Sequence, residues 1–202
     1  MRKFGYFLFM LIFLLIGSSI YTYGYQESEN RDLIAYKPEF EWEYLVPTSV
    51  SRRDIDTISL NILEESRSNA HVAIYKGVTL TRAWGDMNRL GVTSDCGAFG
   101  IGPTYLMRIR VKKWDTAALF WDMSGALIFY NKDFPNNGDF YNFMWRIGPI
   151  LSCQIGEHTL LNIGYKLMHV SNGQLYWPEL TGTPHNPAYN AKGLSLAIVH
   201  CF

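Results

Sequence analysis

The chain has 202 residues, and its 18 lysines and arginines are balanced by 18 aspartates and glutamates, so the formal charge at pH 7 is zero. A nucleic-acid partner finds no electrostatic support in such a chain, whose length suits one domain. Cys96, Cys153 and Cys201 are widely spaced, form no C-x-x-C or metal-ligand pattern, and read as small strand residues, so neither a metal nor a cofactor is expected.

The N-terminus has three parts: Arg2-Lys3, an apolar run over 4–16, and a small, polar stretch over 17–24. This is the pattern of a secretory signal peptide over 1–24, with Thr22 and Gly24 small enough for the −3 and −1 positions of a cleavage site, which Gly17 and Ser19 would also serve. The apolar run is about a dozen residues, short of the roughly 20 that cross a bilayer as a helix, and no later segment is longer. A transmembrane helix is therefore not expected, and 25–202 forms the mature domain. Loss of Arg2 and Lys3 leaves 16 basic against 18 acidic residues.

From residue 39 onward the apolar period is two, interrupted by clusters of Gly, Pro, Asn and Asp. The pattern predicts strands at 39–46, 55–63, 70–84, 96–111, 115–131, 141–155, 158–172 and 191–202. Connections at 64–69, 112–114 and 156–157 are short, whereas those at 85–95, 132–140 and 173–190 are long. Bacterial outer-membrane barrels show this asymmetry, with short periplasmic turns and long outer loops. The fold class expected is therefore all-β, an eight-stranded antiparallel transmembrane β-barrel of the Gram-negative outer membrane. An even strand count puts both ends of the barrel on the periplasmic side and the 173–190 loop outside.

In strand 115–131 one parity carries Leu119, Trp121, Met123, Leu127 and Phe129, which should face lipid. The other carries Phe120, Asp122, Ser124 and Ala126, which should face inward. In the last strand Leu194, Leu196, Ile198, His200 and Phe202 share a face, and the terminal aromatic looks like a barrel-assembly signal. A soluble sandwich would place polar residues on such a face. An eight-stranded barrel is filled by its own side chains, so Asp122 and Arg146, both on the inward parity, should join a buried polar network. Function should lie on the outside or at the rim.

Strand 158–172 breaks its own pattern. Its odd positions Leu161, Ile163, Tyr165 and Leu167 are apolar, yet His169 and Ser171 continue the same parity at the outer end. Side chains two apart on a strand lie on one face within roughly 7 Å, and a serine beside a base is the minimum for acyl transfer. Asn190 shares the parity of Leu194 and Leu196 and should point outward on the neighbouring strand, so three polar groups converge. If the 156–157 turn sets the register, Phe143, Trp145 and Ile147 lie beside Ser171, His169 and Leu167. Phe143, Trp145 and Leu167 then line an acyl groove, or form an aromatic girdle without selectivity. Lys192, also outward, can pair with a phosphate or serve as an anchor.

The run Tyr165-Lys166-Leu167-Met168-His169-Val170-Ser171-Asn172-Gly173, followed by Asn186-Pro187, resembles the lipid A 3-O-deacylase family of outer-membrane enzymes, also described as acyloxyacyl hydrolase-like. The resemblance extends over most of the mature chain and is weak before Cys96. It implies an eight-stranded barrel with a His, Ser and Glu triad on its lipid-facing surface. Carried over by residue, Ser171 is the nucleophile and His169 the general base. Asn186, Asn172 and the backbone N–H near Gly173 are the oxyanion and substrate contacts. The family's Glu falls at Asn190 here, and Ala188 stands where a Gly is usual. An Asn accepts the His N–H and fixes its tautomer but adds no charge, whereas Glu179 in the 173–190 loop is the alternative acid. His185 reads as a solvated loop residue.

The resemblance thus implies a serine carboxylic ester hydrolase that acts on an ester-linked acyl chain of lipopolysaccharide lipid A, without metal or cofactor. Its partners are lipid A and outer-membrane lipid, with room for a homodimer. The alternatives are a non-catalytic barrel of the same family, structural or lipid-binding, and an adhesive barrel whose outer loops bind a partner.

Overall fold

The computed structural model describes residues 38–49, 53–89, 92–95, 97–135, 138–173 and 188–200. The expected signal peptide, Cys96, Glu179, His185, Asn186, Cys201 and Phe202 lie outside the described residues.

The described chain is β throughout. Its strands are β1 Pro38–Pro47, β2 Arg53–Ser68, β3 Val72–Arg89, β4 Val92–Asp95, β5 Ala98–Lys113, β6 Ala117–Phe134, β7 Asp139–Gly156, β8 Thr159–Ser171 and β9 Tyr189–His200. Each long strand pairs antiparallel with its neighbour in the chain, and β1 pairs with both β2 and β9. Eight long strands therefore close into a barrel, which leaves no unpaired edge. Two departures from expectation stand out: β2 runs on to Ser68 through most of the expected 64–69 connection, paired with β3, and β4 is an added strand. The segment 85–95 was expected to be a loop, but β3 continues to Arg89 and Val92–Asp95 folds back against it alone. That hairpin extends β3 past its pairing with β5, which ends at Ala83↔Ala98.

Alternation sorts the side chains. Asp122, Ser124 and Ala126 are buried, whereas Trp121 and Phe129 are exposed on the opposite face of β6. The exposed face elsewhere carries Phe40, Trp42, Tyr44, Ile163, Leu194, Leu196 and Ile198. A surface of aromatic and aliphatic side chains over a polar interior is an inside-out protein, stable only with hydrocarbon around it.

The interior is layered. At its middle, four carboxylates and three cations interlock. Arg108 donates to both oxygens of Glu39 (2.8 and 2.9 Å) and both of Asp122 (2.9 and 2.8 Å). Arg146 reaches Glu43 (2.6 Å), Asn61 (2.9 Å), Thr79 (3.1 Å) and Ser124 (3.2 Å). Lys166 binds Glu41 and lies 3.2 Å from Glu43. Towards the long loops an apolar layer that includes Leu45, Ile55, Ile128, Phe134, Met144 and Val170 covers this network, and Leu63, Tyr75 and Leu106 cluster towards the short turns. Charge in the barrel's axis is tolerable because each cation has fixed acceptors, and the expected roles of Asp122 and Arg146 in a buried network hold. The filled bore directs attention to the outer wall.

Candidate active site

The candidate site sits on β7, β8 and β9 where they approach the long loops. Strand register brings His169 opposite Asn190 and Trp145, and Ser171 opposite Phe143. Ile147 faces Leu167, as the 156–157 turn predicts, although a bulge intervenes between Gln154 and Gly156. Val170 and Met168 are buried, which turns His169 and Ser171 outward, where both are partly exposed.

His169 and Asn190 are joined directly. Nδ1 of His169 lies 2.7 Å from Oδ1 of Asn190. An amide oxygen only accepts, so Nδ1 carries the proton and donates it, and the lone pair of a neutral ring is left on Nε2. Asn190 is itself held on both sides, because its backbone carbonyl accepts from the N–H of Thr48, the residue after β1, at 3.1 Å. The indole of Trp145 packs 5.8 Å from the imidazole, at 38° between the rings. The ring is thus oriented by one hydrogen bond and one aromatic face, and Nε2 is engaged by no partner among the described residues.

Ser171 is the less settled member. No hydrogen bond joins it to His169 among the described residues; side chains two apart on a strand must turn towards each other to meet. Asn172 has the other parity. It is buried, and its amide donates to Asp139 Oδ2 at 3.3 Å, so its side chain lies off the outward face where a substrate contact was expected. Sequence pattern did not single out Asp139. It lies 33 residues away in what reads as a loop, and only the β6–β7 hairpin brings it to the end of β8. Gly173 ends β8 with φ +74°, and a Cβ there would stand 3.7 Å from the Phe143 ring, so backbone conformation rather than space favours glycine.

Around the polar cluster the wall is apolar. Phe143, Trp145 and Leu167 are about half exposed. The rings of Phe129, Phe140, Tyr141 and Phe143 follow one another at centroid spacings of 6.3, 5.5 and 6.4 Å. Lys192 is exposed opposite Leu167. Cys153 is a free, partly buried thiol on β7, and the described His, Cys, Asp and Glu residues form no metal-binding group.

No protein-family model matches the sequence, and no curated protein matches it. A match comes from structure: the outer membrane enzyme PagL, in its crystal structure, superposes with a TM-score of 0.50, covering 79% of this chain and 97% of that one. The fold is that of an outer-membrane barrel. Sequence identity is 11%, so the likeness speaks for architecture alone. The exposed band of aromatic and aliphatic side chains is what calls for a membrane, and with the short turns periplasmic, as in such barrels, the His169 cluster lies in the outer half of the wall.

Proposed function

We propose that this barrel is a serine esterase that removes an ester-linked acyl chain from lipid A in the outer leaflet. The observation that carries the reading is the 2.7 Å bond between His169 Nδ1 and Asn190 Oδ1, formed on the lipid-facing side one residue-pair below Ser171. It presents Nε2 as a base in the tautomer that a serine triad needs. The setting supports the substrate class, because acyl esters of lipopolysaccharide lie at this depth and Phe143, Trp145 and Leu167 offer an apolar bed for the chain.

In the proposed reaction His169 Nε2 takes the Ser171 Oγ proton as Oγ attacks the ester carbonyl. The oxyanion is met by the backbone N–H near Gly173 and by Asn186. Collapse breaks the ester C–O bond, the sugar oxygen leaves with the proton from His169, and water then hydrolyses the acyl-Ser171 ester by the same base. Asn190 orients the ring but adds no negative charge; in a serine triad an amide in place of the acid can cost about 10⁴ in kcat. Glu179 is the alternative source of that charge.

A second reading is a catalytically impaired barrel that keeps the fold and a lipid-contacting face. The amide at position 190 and the unmade Ser171–His169 hydrogen bond favour it. Mass spectrometry of lipid A from cells expressing the wild type, Ser171→Ala and Asn190→Glu separates the two. A deacylated species made by the wild type and absent with Ser171→Ala is expected. An unchanged acyl pattern with folded wild type sinks the esterase reading, and deacylation by Asn190→Glu alone identifies an impaired site.

A further inference from the structure

The wall on the other side of the barrel carries a second irregularity. A groove of about 770 Å³ crosses β1, β2, β3, β5 and β6 on the outer surface. Register shows how it forms. Trp42, Leu60, Leu80, Ile101 and Phe129 stand opposite one another in register, in one row across five strands. Ile58, Arg82 and Phe99 form the next row towards the long loops, continued by Asn131, whose Oδ1 accepts the Phe99 N–H at 2.9 Å. Side chains from the two rows stand up on either side, and the pleat between them is the floor. Four strand spacings of ~4.8 Å give this trough a length of roughly 19 Å, comparable with an extended fatty-acyl chain.

Arg82 is out of place on this wall. It is exposed, it makes no ion pair among the described residues, and Asp56, opposite Trp84 on β2, does not engage it. Its guanidinium lies over the rings of Phe99 (5.1 Å) and Trp84 (5.9 Å), which hold its plane along the groove's upper edge. A charge on the lipid face is costly at mid-membrane and nearly free at the interface. Arg82 sits beside Phe99, the second residue of β5, and so near the outer end of that strand. There a cation whose donors meet no acceptor among the described residues is at headgroup height while the row below it faces chains.

We propose that this groove is a binding site for a phosphorylated acyl lipid, with one chain along Trp42, Leu80, Ile101 and Phe129 and the phosphate on Arg82. A planar guanidinium offers two parallel N–H donors to phosphate oxygens, and stacking on an aromatic face uses the plane of the group rather than those donors. The site lies on different strands from His169 and Ser171, and nothing in it depends on hydrolysis.

The test is lipid binding by the full-length barrel in neutral detergent, followed by native mass spectrometry, with dioleoyl phosphatidic acid, dioleoyl phosphatidylcholine and inorganic phosphate as probes. Heat-dependent mobility on gels confirms that each variant is folded. Phosphatidic acid should bind the wild type more tightly than phosphatidylcholine. Arg82→Gln should weaken it by ~10-fold, the order expected for one charge-assisted contact, and Arg82→Lys should weaken it less. Equal binding of the two lipids would reduce the groove to ordinary wall. Unchanged affinity in Arg82→Gln, or displacement of the lipid by inorganic phosphate alone, would also overturn the proposal.

Discussion

The two faces of β8 treat polar groups in opposite ways. Inward, Asn162 and Lys166 are buried and bonded to the carboxylates of β1, and their neighbour Arg146 has four acceptors. Outward, Tyr165 and Leu167 are exposed, and His169 makes one hydrogen bond among the described residues, to Asn190. Polar residues are the rule inside and the exception outside. A polar group that satisfies many partners holds the barrel together; one that keeps an edge free on an apolar wall is available for chemistry. The difference teaches where to look for function in a barrel with a filled bore.

The largest expected effect lies inside. Arg146→Ala takes the guanidinium from Glu43, Asn61 and Thr79 in the interior and leaves Glu43 with Lys166 alone as its cation, and breaking a buried pair from one side typically costs about 3–5 kcal/mol. Urea unfolding in lipid vesicles measures it, and a loss below about 1 kcal/mol would mean the network is ornamental. Next is the outer wall itself. Leu196→Arg, in the middle of β9, should cost about 2–4 kcal/mol in the same assay, as a lipid-facing charge does. If it folds as well as wild type, that face does not meet hydrocarbon.

Asn190→Glu sharpens the comparison at the site. Adding a negative charge to a bond already in the right tautomer should raise kcat for lipid A deacylation by about 100-fold, a fraction of the full penalty for an amide. Turnover by purified protein in mixed micelles is the readout, and a fall in rate would mean that Asn190 is the working residue. The smallest effect is expected for Gly173→Ala. A positive φ there should cost about 1 kcal/mol of stability, and deacylation should fall with it if the Gly173 N–H meets the oxyanion. Stability that falls with activity intact would leave Gly173 as a turn residue only.

Much of this architecture is legible in one dimension. Period two placed the long strands within a few residues, because each strand has one face to lipid and one to a packed interior, and a slip of one residue would exchange them. The same rule set His169, Ser171 and Asn190 apart, as polar residues on a parity otherwise apolar. β4 escaped it. Four residues paired with a single neighbour leave too short a pattern to distinguish from a loop. The partners in the bore escaped it too. Arg108 meets Glu39 from 69 residues away and Lys166 meets Glu41 from 125, and no local pattern encodes such a distance.

Parity alone says which wall a side chain faces, and the residue sequence determines parity. Register says which side chains touch. The 173–190 connection is too long for a turn to set it, so the His169↔Asn190 pairing is decided only when β8 and β9 close the barrel against β1. Register elsewhere likewise puts Asp139 of β7 on Asn172 and stands Arg82 of β3 over Phe99 of β5 at the edge of the groove. The sequence by itself determined a barrel with polar residues on its lipid face. The tertiary structure decided which of them meet, because contact across strands depends on how far each strand slides along its neighbour.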